Sequence, residues 1–560
     1  MLEDFAVLPT YHDVYGVHGS EDDLVKLIQE YDVQDWLLHL ARLSNLLCGH
    51  RHRDALYVKP FLEWFRPPAL MGKLNEVFEN NRREGRKTYL FTDRHIGILI
   101  ELALLHAPRN PSRRIEKKED LHRIFTALLI LADLEDFSER IDTSTDEGKA
   151  TFVDQVWVLW GRSELIDPQE TIPRGAYLYQ IADPNQSPEA VEWGSLFRQA
   201  TGHGLVPFFM GGVCTLLPEY ARTPAEIGKT WLQCATAVQG KEGKMLPDVP
   251  SAYHERRAIS IEALATAVQE HEKGNAIPDF NLIGLKKYPL LRAGDGGVFP
   301  LYASGIADSL CEGIFQDVAR PAIDGLIDKD HNYVSHLFGL LFEQYVLGIL
   351  AERFGTYGER SLGRLIPSPV RSDNGNQAAD AILLCEEGIV ILEVKGWHVA
   401  ATHRFAVKPS ADVAREIIST GLDKAVTQLQ KSVECCRRGL VRPELPYRDL
   451  QHMLVCPMAV TYVQIPLFEP MPALIGKLEA RAKVDDFTCP LVLAHDSEVG
   501  LLCSLPEGES FWRVLVAYSN ASGSRKSLNN FLVATCPGVG ELLARRAMDR
   551  WERLKREVGF

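Results

Sequence analysis

Apolar residues in the first 165 positions recur every three or four residues. Leu24, Leu27 and Ile28 form one such group, and residues 36–46 and 96–105 contain others. This spacing puts apolar side chains on one face of a helix, whereas a strand would alternate them every two residues. The pattern therefore predicts a mainly helical N-terminal region.

The pattern changes after this region. Residues 165–190 are rich in proline and polar residues, which is typical of a boundary. Two short apolar runs within 286–302 flank Gly-Asp-Gly-Gly and predict a hairpin. From about residue 305 the order is helix, three strands, helix, strand. We therefore predict an α/β protein with four regions: a helical domain (1–165), a mixed helix and loop domain (166–304), an α/β domain (305–505) and a helical tail (506–560).

A strand pair inside the α/β region carries the clearest chemical signal. Residues 389–395 read IVILEVK, and residues 380–384 read DAILL, with a four-residue turn, CEEG, between them. A symmetric hairpin about this turn places Asp380 opposite Glu393, with Lys395 one strand repeat further on the same face. A bulge or a three-residue loop would give a different register.

Two facing carboxylates repel each other unless a positive charge compensates them. Mg²⁺ prefers oxygen ligands and takes one or two carboxylates from protein, with Mn²⁺ as an alternative ion. Lys395 is suited to hold an attacking water and to offset charge on a phosphate. Asp380, Glu393 and Lys395 therefore predict metal-dependent hydrolysis of a phosphodiester bond. The alternative is an α/β domain whose hairpin carries an incidental surface salt bridge.

A third acidic residue lies in the helix before the hairpin. Residues 334–354 are strongly apolar and helical, and Glu343 sits between Phe342 and Gln344 within them. A carboxylate on such a stretch is costly to bury unless it is paired or metal-bound. We expect Glu343 to reach the metal or its water, with a surface glutamate as the alternative.

The ordered set of helical Glu343, Asp380 and Glu393-Val394-Lys395 resembles the PD-(D/E)XK superfamily of restriction-endonuclease-like nucleases. Within it, the sequence EVKGW at 393–397 resembles the branch that contains nuclease-related and type IV restriction domains. The similarity covers about 160 residues, from about 330 to 490. One departure is Ala379, which stands where the family usually has proline before the aspartate.

The resemblance implies a small mixed sheet flanked by helices and Mg²⁺-dependent cleavage of nucleic acid. Asp380 and Glu393 would bind the metal, and Glu343 would support the metal or activate water. Lys395 would position the nucleophile. In the helix at 422–433, Gln428 occupies the place where many members have a glutamine beside the catalytic lysine, and it would orient Lys395 or the water.

Composition narrows the cellular setting. The chain has 560 residues, 61 Lys and Arg against 75 Asp and Glu, and a formal charge of −14. Acidic balance argues against non-specific coating of nucleic acid, although local basic patches remain compatible with a nuclease. An acidic N-terminus, scattered cysteines and the lack of a long uncharged apolar run predict a cytoplasmic protein without membrane attachment.

A weaker signal lies at the C-terminus. Gly538, Gly540 and Ala544 are spaced as in the helix–hairpin–helix motif, in which glycine amides at a helix N-terminus grip a DNA phosphate. The alternative is a helix start behind a Pro-Gly turn that packs the C-terminus onto the core.

Taken together, these features predict an endonuclease that cuts DNA, double-stranded in the simplest case. By analogy with similar nucleases, it would be a prokaryotic restriction or antiphage defence effector whose N-terminal half senses a trigger or a partner protein. Homo-oligomers are a further option. A catalytically idle nuclease fold used for DNA or protein binding is the main alternative, and an α/β interaction protein without phosphate chemistry is the third.

Overall fold

The computed structural model describes most of the chain. The described residues are 9–49, 68–83, 91–109, 115, 118–135, 144–151, 153–154, 168–181, 183, 185–220, 249–271, 282–292, 297–354, 363–369, 375–385, 387–396, 410–441, 453–463, 465, 470–506, 509–521, 527–536 and a few positions after 537.

Helices dominate these residues. The helices of the first half are α1 Tyr11–Tyr15, α2 Glu21–Ile28, α3 Val33–Gly49, α4 Pro68–Arg83, α5 Asp93–His106, α6 Lys118–Glu135, α7 Pro168–Leu178, α8 Pro188–Thr201, α9 Leu205–Tyr220, α10 Val249–Arg257, α11 Ile261–His271 and α12 Ile283–Lys287. Those of the second half are α13 Ala303–Ser309, α14 Glu312–Ile323, α15 His331–Phe354, α16 Ser410–Ile417, α17 Asp423–Arg437, α18 Met471–Ala482, α19 Asp496–Cys503, α20 Phe511–Asn520 and α21 Leu528–Thr535. A π-helical turn, Ile418–Leu422, joins α16 to α17.

The strands form two small mixed sheets flanked by helices. Strands β1 Ala258–Ile259, β2 Leu290–Arg292 and β3 Val298–Pro300 form the first sheet, with β1 and β2 parallel. The antiparallel pairing of β2 with β3 confirms the hairpin predicted within 286–302. Strands β4 Arg364–Pro367, β5 Ala381–Leu384, β6 Gly388–Lys395, β7 Leu454–Thr461 and β8 Val492–His495 form the second sheet in that order.

The second sheet is antiparallel on one side of its central strand and parallel on the other. Strands β4, β5 and β6 are antiparallel, whereas β6, β7 and β8 run parallel. Strand β6 is the middle strand and is buried along almost its whole length, which explains its apolar run from Ile389 to Leu392. Ala381 pairs with Leu392 and Leu384 with Ile389, so the predicted hairpin register is confirmed.

The chain divides into two compact units. Unit 1 comprises residues 1–176, 197–318 and 558–560, and unit 2 comprises residues 177–196 and 319–557. Helices α2, α3, α5 and α6 build a core in unit 1 around residues such as Trp36, Leu99 and Phe125. Helices α2 and α5 begin with capping boxes at Ser20 and Thr92. The helices expected from apolar spacing in this region are therefore confirmed.

Unit 2 contains the five-stranded sheet and the predicted site residues. Helices α15 and α17 both contact β6, and Phe338 and Phe342 of α15 meet the Tyr462 ring edge-on. The predicted order of helix, three strands, helix and strand is present here as α15, β4, β5, β6, α17 and β7. Helix α21 lies in the predicted helical tail, whereas Gly540 and Ala544 of the predicted helix–hairpin–helix motif lie outside the described residues.

Among the described residues, one helix is long and apolar enough to cross a membrane. It is α15, whose most apolar 18-residue window has a mean hydropathy of 1.5. Helices in the cores of globular proteins pass the same criterion, and Val334, Leu341 and Phe342 of α15 are fully buried within unit 2.

Candidate active site

The site begins where strand β5 starts. The backbone N–H of Asp380 donates to Leu392 O at 3.2 Å, and its carbonyl accepts from Ser368 N at 2.8 Å. Asp380 is thus held between β4 and β6 although the regular strand begins one residue later. The regular pairing ends at Ala381 opposite Leu392, so the predicted pairing of Asp380 with Glu393 lies one residue beyond it, and the two side chains meet at Lys395.

The side chain of Asp380 is tied to the neighbouring strand. Its Oδ2 accepts from the backbone N–H of Val394 at 2.7 Å, and its Oδ1 accepts from Gln377 Nε2 at 3.2 Å. A carboxylate oxygen can accept more than one hydrogen bond, so these contacts leave acceptor capacity. They orient the carboxylate towards the end of β6.

Lys395 joins the two facing acids. Its Nζ donates to Glu393 Oε2 at 2.9 Å and lies 3.8 Å from Asp380 Oδ2. The side chains of Glu393, Asp380 and Lys395 are 3%, 14% and 18% exposed. The alternative of an incidental surface salt bridge therefore does not describe this cluster, because its members are largely withdrawn from water.

Burial and repulsion act on Glu393. Desolvation and the nearby Asp380 raise the pKa of its carboxyl and Lys395 lowers it, with a net value of about 7. One ammonium therefore does not fully compensate two buried carboxylates. The electrostatics favour an additional positive charge at this position.

Helix α15 approaches the end of β6 through two glycines. A Cβ atom on Gly396 would lie 3.0 Å from Gly339 Cα and 3.1 Å from Phe342 Cβ, so the two backbones touch here. Glu343 lies one helical turn after Gly339. The close approach thus fixes the predicted third acid near the strand end.

Glu343 is half-buried, and the charges of Asp380 and Lys395 act on its carboxyl. Burial and repulsion from Asp380 raise the pKa of its carboxyl and Lys395 lowers it, with a net value of about 7. The structure therefore brings Glu343 into electrostatic range of Asp380 and Lys395. No group of three or more His, Cys, Asp or Glu side chains among the described residues has the arrangement of a metal site, so metal ligation by Glu343 stays a prediction.

Helix α17 supplies the fifth predicted residue. Ser432 Oγ donates to the carbonyl of Ala378, two residues before Asp380, and also to Gln428 O at 2.8 Å. Gln428 lies one turn before Ser432, and its Oε1 is buried without a hydrogen-bond partner. Buried acceptors are seldom left unpaired, which marks this atom as a candidate ligand contact.

The donor set suits a hard cation. All candidate ligands are oxygens, and Asp380 and Glu393 together supply the two carboxylates that Mg²⁺ commonly takes from a protein. The raised pKa of Glu393 is consistent with a further positive charge near the strand end. Asp380 and Glu393 would hold the ion.

Sequence reasoning missed three groups that shape the site. Gln377 and the Val394 amide orient Asp380, and Ser432 ties α17 to the strand that carries it. Gln377 and Ser432 lie outside the recognised motif, and Val394 is its unspecified middle position. The bonds of Val394 and Ser432 join separate segments of the chain, for which a single sequence contains no spacing signal.

Comparisons with known proteins add no assignment to this geometry. Family models, curated proteins and solved structures were compared with the chain, and none of them matches it.

Proposed function

We propose that unit 2 is a metal-dependent nuclease that hydrolyses phosphodiester bonds of DNA, with the restriction-endonuclease-like arrangement that its sequence motif resembles. The observation that carries this proposal is the contact of Lys395 with carboxylates from two neighbouring strands. Hydrolysis of a phosphodiester needs a positioned water, a proton acceptor and positive charge near the phosphate.

The residues divide these tasks. Mg²⁺ held by Asp380 and Glu393 would supply positive charge to the phosphate and acidify the attacking water. Lys395 holds that water and stabilises the charge that develops on phosphorus oxygens. Glu343, whose pKa of about 7 lets it accept a proton at neutral pH, takes the proton as the water oxygen bonds to phosphorus, while the bond from phosphorus to the leaving sugar oxygen breaks and that oxygen takes a proton from solvent. Gln428 orients Lys395 or the water through its amide.

Unit 1 has a separate task in this proposal. We assign to it the recognition of a trigger, a partner protein or DNA, an organisation that resembles prokaryotic restriction and antiphage effectors. This assignment rests on the analogy alone.

Plasmid cleavage tests the nuclease proposal. The purified full chain is incubated with supercoiled plasmid with and without Mg²⁺, alongside Asp380→Ala and Lys395→Ala. A matched control is Glu387→Ala, which changes an acid at the opposite end of β6, where it pairs with Arg513. Mg²⁺-dependent nicking by the wild type and control, lost in both site variants, is the expected result.

Other outcomes favour the alternatives. Tight DNA binding without cleavage by the wild type would support a catalytically idle module. Neither binding nor cleavage would support an interaction protein without phosphate chemistry.

A further inference from the structure

Three basic side chains form a row along helix α17 and its C-terminal cap. Lys424 and Lys431 lie on the helix, Arg438 is the cap residue that follows it, and the three are seven residues apart and all exposed. Seven residues are just under two helical turns, so the three side chains share one face with a drift of about 20° per step. With a rise of about 1.5 Å per residue, the basic row extends for roughly 21 Å.

The basic row borders the candidate active site. Gln428 lies four residues after Lys424 and three before Lys431, and residues at these spacings are neighbours on a helix surface. The same helix bonds the carbonyl of Ala378 through Ser432, on the segment that leads to Asp380. The buried edge of α17 therefore faces the site while the basic row lies beside it on the exposed side.

The cations of the basic row have no ion-pair partner among the described residues. Neighbouring arginines behave differently: Arg437 pairs with Asp485, and Arg481 pairs with Asp423. Glu434 lies between Lys431 and Arg438 on the same face, and its carboxylate accepts from Gln430 Nε2 at 3.2 Å. The row therefore keeps three cations against one acid, in a chain of net charge −14.

We propose that the basic row binds the phosphate backbone of duplex DNA beside the bond to be cut, an inference that rests on the proposed nuclease function. A length of roughly 21 Å matches about six base-pair steps of about 3.4 Å each. Lysine and arginine contacts to phosphates position a duplex without reading its sequence. The basic row therefore sets how the substrate lies across the site.

The salt dependence of DNA binding tests this assignment. A fluorescent duplex of about 30 base pairs is titrated with the full chain in EDTA, so that cleavage does not remove the probe, at several KCl concentrations. Each neutralised phosphate contributes about 0.9 to the slope of log K against log salt. The triple variant Lys424→Gln, Lys431→Gln and Arg438→Gln should lower the slope by about 2.7, equally for unrelated sequences.

A matched triple variant separates local contacts from net charge. Arg320→Gln, Lys329→Gln and Arg513→Gln remove the same charge from other parts of unit 2: Arg320 pairs with Asp324 and Arg513 with Glu387. Its slope should equal that of the wild type. Thermal unfolding of both variants should match the wild type, because exposed substitutions rarely change stability by more than about 0.5 kcal/mol.

The outcomes distinguish this inference from the function on which it rests. If the wild type cuts plasmid but the basic-row variant keeps its slope, the basic row is not the DNA contact and the nuclease proposal stands. Equal losses in both triple variants would overturn the assignment in favour of a net-charge effect. A wild type that neither binds the duplex nor cuts plasmid contradicts both.

Discussion

At the scale of single residues, the main feature of the site is one ammonium group that lies between two carboxylates. Lys395 Nζ contacts Glu393 Oε2 at 2.9 Å and stands 3.8 Å from Asp380 Oδ2. The same lysine that is proposed to serve the reaction also neutralises the carboxylates proposed to hold the metal. A divalent cation and the ammonium should therefore compete for Glu393.

Replacing this lysine tests the competition. Lys395→Met should tighten Mn²⁺ binding at pH 8.5 by about tenfold, roughly 1.4 kcal/mol, because the two carboxylates lose the ammonium that contacts them. DNA cleavage should be lost in the same variant. Mn²⁺ titration by electron paramagnetic resonance measures the first effect, and Lys477→Met, on the exposed side of α18, is the control. Weaker Mn²⁺ binding by Lys395→Met would contradict the expected competition between the ammonium and the metal for Glu393.

The raised pKa values of two carboxyls predict how the stability of the protein depends on pH. Burial raises the pKa of Glu343 and of Glu393 to about 7, above their ordinary value of 4.5. Between pH 4.5 and about 7, the folded protein binds more protons than the unfolded chain. These two carboxyls therefore lower the free energy of unfolding as pH rises. Without metal, the wild type should therefore lose part of its stability between pH 5 and 7.5.

Glu343→Gln keeps the shape of the protonated acid and cannot ionise. The unfolding midpoint of the Glu343→Gln variant should shift less between pH 5 and 7.5 than that of the wild type. Denaturant titrations at both pH values measure it, with the exposed Glu434→Gln as control. An unchanged shift in Glu343→Gln would show that this carboxyl does not titrate as the structure indicates.

At the scale of elements, the site depends on how closely α15 approaches the end of β6. Gly396 lacks the Cβ that would meet Gly339 Cα at 3.0 Å. Backbone atoms cannot rotate away, so any side chain at this position must move the strand or the helix. Glu343, one turn after Gly339, would move with the helix.

The two glycines form a matched pair of variants. Gly396→Ala should lower stability by about 1–3 kcal/mol, as overpacking usually does, and should slow cleavage. Gly339→Ala should be neutral or stabilising by up to about 1 kcal/mol, because its own Cβ would meet nothing within 4 Å and alanine favours the helix. Thermal unfolding and plasmid nicking measure both. Similar behaviour of the two variants would mean that the close approach does not matter.

At the scale of the molecule, unit 2 is discontinuous along the chain. Residues 177–196 belong to it although more than a hundred residues separate them from residue 319. Tyr179 and Trp193 of this segment are fully buried, and the Trp193 ring lies 6.0 Å from that of Phe338 on α15. Gln180 and Glu189 also bond to Gln344, beside Glu343.

This segment should therefore be required for the stability of the candidate active site. Trp193→Ala should cost about 3–5 kcal/mol and should abolish cleavage at temperatures that the wild type tolerates. Val191→Ala, in the same helix but 57% exposed, should change little. Thermal unfolding with parallel nicking assays compares them. A mild effect of Trp193→Ala would show that unit 2 does not rely on the segment.

The elements around the site were predictable for local reasons. The alternating and apolar run at 389–395 predicted β6, and the four-residue turn predicted the register that pairs Ala381 with Leu392. Turn length and side-chain alternation are properties of neighbouring residues, so they can be read along a chain. By contrast, no spacing indicated that Ser432 would bond the carbonyl of Ala378.

The sequence by itself determined the helices and strands of unit 2 and the register of the hairpin between β5 and β6, because hydrophobic period and turn length act over a few residues. Only the tertiary structure decided that α15 reaches the end of β6 at Gly396, that burial raises the pKa of Glu343 and Glu393 to about 7, and that residues 177–196 complete the unit. These features arise from packing and desolvation between segments distant in the chain, and both depend on the folded arrangement as a whole.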